Sequence, residues 1–287
     1  MFYLLKLTES ILKNIPRRAG YFFSDIFSFF SFVFSGERKH NLKTNLEAVI
    51  GAGKVTPAML LSTYKTYGRY YYDIFSGNIR FPECSDPASD AVFKSEYVPK
   101  ITEYLNRKQG FIIVSMHLGN WDAAGSYAAS YFPGKVSIVV EKLSPAMLKW
   151  FTQAREKLGM KIISHTDIKQ MIKILNNGEI LVLATDRDIE KSGFQMNVFG
   201  KKAYIPSGPS KLALITGAPI LVGAFPRSEK DITKFVSKPH PRLLNTNKME
   251  RTKENIEQLT KDTIMEMEEL IKQDPLQWCM LQKFFVD

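Results

Sequence analysis

Apolar and polar positions along this chain repeat with two different periods, helical near the start and strand-like further on. Leu4, Leu7, Ile11, Leu12 and Ile15 recur at helical spacing, which predicts an amphipathic helix over residues 2 to 15 ending near Pro16. Residues 21 to 34, YFFSDIFSFFSFVF, hold seven phenylalanines, with Ser24, Ser28, Ser31 and Ser35 at steps of four, three and four. That spacing draws one polar stripe along an aromatic helix. At about 1.5 Å per residue the segment reaches roughly 21 Å, short of a hydrocarbon core of about 30 Å, and Asp25 also argues against crossing it. Arg17 and Arg18 precede it, and Arg38, Lys39, His40 and Lys43 follow, an arrangement that suits a helix lying in an anionic interface. Burial against a main domain is the other reading the pattern allows.

Residues 41 to 80 continue as helices, with Tyr64, Tyr67, Tyr70, Tyr71 and Tyr72 around Arg69. From Gly110 onward short apolar runs alternate with helical patterns. Strands are expected at 111–116, 136–140, 161–163, 180–184 and 220–225, and a further one near 233–236. Helices fall between them near 121–130, 145–158, 167–176 and 207–216, the third closed by Asn177-Gly178 and the fourth opened by Gly208-Pro209. A long amphipathic helix follows from about Thr252 to Lys272 and ends before Pro275. This alternation is that of an α/β fold. Neither a repeat nor a low-complexity linker interrupts it, so residues 41 to 287 read as a single domain and residues 1 to 40 as its N-terminal appendage of interfacial helices.

Composition narrows the partners. A chain of 287 residues with 45% hydrophobic content supports a packed core, and a net charge of +10 with pI near 9.4 calls for an anionic partner. Nucleic acid is disfavoured, because the aromatics cluster in an apolar helix instead of alternating with arginines. An anionic membrane surface remains. Only Cys84 and Cys279 are present, without zinc-type spacing, so neither a disulfide framework nor a metal is indicated and a reducing, cytosol-facing location is expected. Lys6 and Lys13 interrupt the first apolar run, unlike a secretory signal. No G-x-S-x-G elbow, P-loop or dinucleotide fingerprint occurs.

Chemistry concentrates in FIIVSMHLGNWD, residues 111 to 122. His117 stands at a strand end. Asn120 is a natural N-cap for the helix beginning at Trp121, which sets Asp122 in the first turn, where the helix dipole favours a charged carboxylate. On one continuous helix His117 and Asp122 would be about 500° apart, so His117 must occupy the turn before the cap, which Gly119 permits. In that layout the carboxylate holds one imidazole nitrogen and the other accepts a proton from a hydroxyl supplied by a substrate. The alternative is a strand-end histidine satisfied by backbone groups beside a capping aspartate.

HLGNWD resembles the H-x4-D/E motif of the lysophospholipid acyltransferase superfamily, in the form used by the bacterial lipid A biosynthesis acyltransferases and most similar to that of phosphatidylinositol mannoside acyltransferases. Further blocks agree in order: VVEKL with Glu141, QAREKLG with Arg155, TDRD at 185 to 188, NVFG at 197 to 200, IPSGPSKLALITGAPI at 205 to 220, and Pro275 with Gln277-Trp278. The resemblance implies a glycerol-3-phosphate acyltransferase-like α/β domain with a mixed central sheet and membrane-associating N-terminal helices. It makes His117 the general base and Asp122 its partner in direct transfer from an acyl thioester to a glycolipid or lysolipid hydroxyl, without an acyl-enzyme. Substrate contacts are expected from Glu141, Arg155, Arg187, Asp186, Asp188 and Asn120. Arg187 would bind a phosphate or headgroup, or else form an ion pair that fixes its loop. Asn197 to Gly200 with Lys201 and Lys202 resembles the family's loop before the turn from Pro206 to Pro209, whose backbone amides would open a helix and cradle an anion; a solvated basic loop is the other reading. No cofactor is implied beyond acyl carrier protein or coenzyme A carrying the thioester. The expected place is the cytoplasmic face of the bacterial inner membrane, as a peripheral or monotopic protein. The competing reading is a catalytically silent lipid-binding protein of the same fold on the membrane surface.

Overall fold

The computed structural model describes residues 1–77, 85–141, 144–188, 191–246 and 249–286. Cys84, residues 78 to 80 at the end of the second helical stretch, and Lys142-Leu143 of VVEKL lie outside the described residues. Four helices come first: α1 (Phe2–Leu12), α2 (Arg17–Phe34), α3 (Gly36–Ile50) and α4 (Pro57–Ser76). Next stand α5 (Pro87–Val92) and α6 (Val98–Asn106), joined by one wide turn over Phe93–Tyr97. The alternating part runs β1 (Phe111–Ser115), α7 (Trp121–Tyr131), β2 (Val136–Val140), α8 (Pro145–Lys157), β3 (Lys161–Ser164), α9 (Ile168–Asn176) and β4 (Ile180–Ala184). After a hairpin of β5 (Phe194–Val198) and β6 (Lys201–Ile205) come α10 (Gly208–Thr216), β7 (Ile220–Ala224), β8 (Lys238–Pro239) and α11 (Lys253–Gln273).

The main sheet is ordered β3-β2-β4-β1-β7-β8, with the first five strands parallel and β8 antiparallel at the edge. It is an α/β arrangement, as the alternation implied, and the sheet is mixed and helix-flanked, as the resemblance implied. Strand periodicity splits its core in two. Ile112, Val114 and Met116 face a cluster with Leu175 of α9, Leu212 of α10 and Met267 of α11, whereas Phe111 faces the opposite cluster with Ile101 of α6, Tyr127 of α7 and Ile138 of β2.

Two expectations fail at the periphery. Residues 233–236 form no strand; Phe235 is buried and only bridges Ser85 and Arg227, and the sheet edge is instead the two-residue β8. Of residues 197 to 200, read as a loop, Asn197 and Val198 instead end β5, and only Phe199-Gly200 make the turn of the β5–β6 hairpin. Its signature is a strand period: Met196, Val198, Ala203 and Ile205 are buried while Gln195, Asn197, Lys201 and Lys202 are exposed.

Helix α2 lies along α4 at short range. A Cβ on Gly68 would come 2.1 Å from Ser28 Oγ, and one on Gly20 2.0 Å from the Tyr72 ring. The serine stripe thus faces α4, and the opposite face leaves Phe22, Phe23, Phe27, Phe30 and Phe34 more than half exposed. Among the described residues no helix is long and apolar enough to cross a membrane.

Candidate active site

Strand register assembles the centre of the site. Ser115 of β1 pairs with Ala184 of β4, so the residues two beyond each strand, His117 and Asp186, emerge side by side at the C-terminal edge of the sheet. His117 Nδ1 lies 2.7 Å from Asp186 Oδ1, and the His117 backbone N–H donates to Oδ2 at 2.9 Å. Trp278, fully buried, donates its indole N–H to the same Oδ2 at 2.9 Å. Burial pushes the Asp186 carboxyl up, but the imidazole and these donated hydrogen bonds outweigh it and hold the carboxyl below the usual carboxylate range.

The turn after His117 is pinned from both sides. Gly119 adopts φ +70°, and a Cβ there would come 2.3 Å from the Phe225 carbonyl oxygen, so this position demands glycine. Gly119 N–H donates to the Gln277 carbonyl and Cys279 N–H to the His117 carbonyl, at 2.9 and 2.7 Å. Asn120 caps α7 as expected, its Oδ1 accepting from Ala123 N–H at 2.9 Å. Its Nδ2 donates to buried Asp73, so Asn120, itself fully buried, is turned inward.

Asp122 does sit in the first turn of α7, but it does not hold His117. Arg155 Nε donates to Asp122 Oδ1 at 2.6 Å and the Tyr70 hydroxyl donates to Oδ2 at 2.6 Å, all three residues being buried. The reason is geometric. The helix start carries Asp122 toward α4 and α8, whereas the sheet register delivers Asp186 to the imidazole. Burial disfavours the charged Arg155, and Asp122 more than restores it, leaving the guanidinium pKa raised. Arg187 forms a two-point ion pair with Glu141, the loop-fixing alternative. Asp188 accepts from Gly193 N–H at 2.7 Å.

A cavity of about 1090 Å³ opens beside this centre. His117, Trp121, Asp122, Glu141, Arg155 and Arg187 line it, with the strand ends at Ser115, Val140 and Ala184. Its remaining walls come from α1, α2, α4, α8, Arg38 of α3 and residues 279 to 282, mostly apolar or aromatic side chains such as Leu12, Phe27, Phe75 and Phe151. Neither Asn120, Asp186, Asp188 nor the turn from Pro206 to Pro209 lines it. The His117 side chain is 20% exposed, and its Nε2 has no hydrogen-bond partner among the described residues. With the Nδ1 proton directed at Asp186, Nε2 carries a lone pair toward the cavity and can take a proton from a hydroxyl placed there. Trp278 and Asp73 were missed as parts of this scaffold; the only sequence signal for the first was the Gln277-Trp278 block.

A family model described as bacterial lipid A biosynthesis acyltransferase matches residues 1–286. The phosphatidylinositol mannoside acyltransferase of Mycolicibacterium smegmatis is 28% identical over 185 residues, which cover 62% of this chain and 59% of that protein. That of Mycobacterium tuberculosis (strain H37Rv) is 28% identical over 192 residues, covering 63% of this chain and 58% of its own length. The chain thus spans less than two thirds of the length of these curated relatives.

Proposed function

The chain belongs to the bacterial lipid A biosynthesis acyltransferase family, and from that footing we propose that it is an O-acyltransferase that moves a fatty acyl group from a thioester to a hydroxyl of a glycolipid or lysolipid. The observation that carries this reading is His117, tethered through Nδ1 to Asp186 at 2.7 Å, with Nε2 open to a large, largely apolar cavity. Nε2 takes the proton of the acceptor hydroxyl as its oxygen attacks the thioester carbonyl carbon. The C–O bond forms, the C–S bond breaks, and the imidazolium returns the proton to the departing thiolate. An ester and a free thiol result, with no bond to the protein. Asp186 fixes the tautomer and stabilises the imidazolium, while Asp122, Arg155 and Tyr70 hold the wall behind it.

The donor is an acyl thioester of acyl carrier protein or coenzyme A, and the setting is the cytoplasmic face of the bacterial inner membrane. The exposed aromatic face of α2 between basic flanks supports attachment there without a spanning helix. Purified protein given radiolabelled palmitoyl thioester and extracted membrane lipid is expected to form labelled ester, and His117→Ala to lose it at unchanged folding. A wild type that binds lipid vesicles but transfers nothing, or an active His117→Ala, would return the protein to the silent lipid-binding reading.

A further inference from the structure

The charges around the cavity do not balance. Three guanidinium groups line it, from Arg38, Arg155 and Arg187, against two carboxylates, Asp122 and Glu141. Arg155 is matched by Asp122 and Arg187 by Glu141. Arg38 makes neither an ion pair nor a side-chain hydrogen bond among the described residues. Its neighbour Glu37 lies about 100° away around α3 and is not part of the lining.

Polar side chains share the lining with that guanidinium. Ser31, Tyr64, Tyr67 and Gln282 line the cavity with it. The Tyr64 hydroxyl is bonded to Ser35 Oγ at 2.7 Å and that of Tyr67 to Tyr71 at 2.9 Å. Burial raises the pKa of both tyrosines, and Arg38 pulls each back, so its charge reaches both hydroxyls. The lining thus holds one cation that no carboxylate of the cavity matches, exposed to solvent at a hydroxyl-rich region, with a fork of donors suited to a phosphate.

We propose that Arg38, with Ser31 and the Tyr64–Tyr67 wall, is a subsite for a phosphate group carried by one of the two substrates. This rests on the cavity being the acyl-transfer site. The phosphate comes either from the headgroup of a lipid acceptor or from the carrier of the thioester.

Binding to the full chain in uncharged micelles separates the sources and does not depend on turnover. The first probe pair is lysophosphatidylinositol against monopalmitoylglycerol, and the second is palmitoyl-coenzyme A against palmitoyl-N-acetylcysteamine. Arg38→Ala is expected to weaken one phosphate-bearing probe about ten- to a hundred-fold and to leave its phosphate-free counterpart unchanged. Arg38→Lys should retain part of the affinity. The affected pair identifies the substrate that carries the phosphate. Lys39→Ala removes the same charge one residue away, where the ammonium sits 5.0 Å from the centre of the Phe32 ring and outside the lining, and it should change neither pair appreciably. The proposal is overturned if wild type shows no preference for either phosphate-bearing probe, if Arg38→Ala leaves both unchanged, or if Lys39→Ala weakens them equally. His117→Ala should bind like wild type, so an inactive wild type would sink the catalytic reading alone, and unaltered binding by Arg38→Ala this one alone.

Discussion

Two buried aspartates follow His117 in the sequence, Asp122 and Asp186, and their partners assign them different work. Asp186 Oδ2 accepts from the His117 backbone and from Trp278, so in Asp186→Asn the amide oxygen must stay on those two donors and its NH2 must face Nδ1. The imidazole would then carry its proton on Nε2 and cease to be a base. A fall in kcat of about 10³ to 10⁴ is expected, by analogy with the wrong-tautomer effect in serine triads. Asp122→Asn leaves Arg155 buried without a counter-charge, which costs about 3–5 kcal/mol, so denaturant unfolding should register it first. An Asp122→Asn protein of full stability and no activity would reinstate Asp122 as the imidazole's partner. Trp278→Phe removes one donor from Asp186, concentrates charge on the carboxylate and strengthens its hold on the imidazolium. The acid limb of the kcat/KM profile should move to higher pH, by up to about one unit, whereas a merely loosened fold would lower the whole profile without moving the limb. His117, the Asn120 cap and the place of Asp122 were legible because strand end, turn and helix start are local. The partnership with Asp186 was not, since it is fixed by the register of two strands 69 residues apart.

At the scale of elements, the serines of α2 show what a stripe can mean. Their spacing was legible, but its use was not: Gly20, Ser24 and Ser28 serve by being small and let α2 lie against Gly68 and Tyr72 of α4. The polar stripe therefore turns inward and the aromatic face outward. Gly68→Ala would force its Cβ to 2.1 Å from Ser28 Oγ and 2.9 Å from Ser24 Oγ. Overpacking of this kind costs about 1–3 kcal/mol, and the melting temperature should fall accordingly. Ser28→Ala removes the nearer atom, so the double variant should recover most of the loss, with a coupling on the order of 1 kcal/mol. If the two changes merely add, the interface is not set by that contact. The buried parallel strands were readable because strands covered on both faces are continuous apolar runs. The hairpin was obscured by its exposed lysines and glycine turn, and β8 by having only two residues to declare itself.

For the whole molecule, a net charge of +10 calls for an anionic partner without locating one, and composition also conceals a pH-sensitive brace on α11. Glu266 has a side chain only 3% exposed, 3.3 Å from His240 Nδ1 and 3.2 Å from Arg242 Nε, without hydrogen-bond geometry to either. Burial raises its pKa to about 7, with Asp262 and Glu269 adding to the rise and His240 and Arg242 opposing it. The folded protein then keeps a proton that the unfolded chain releases near 4.5. Stability from this group is fully present below the unfolded value and is lost as pH rises through about 7. Glu266→Gln carries the neutral form at every pH. Its unfolding free energy should match wild type near pH 4 and exceed it near pH 8, by on the order of 3 kcal/mol. Chemical denaturation at both pH values reads the difference directly. If Arg242 and His240 instead keep the carboxylate charged, removing it breaks two ion pairs, and Glu266→Gln will be the less stable protein at pH 8.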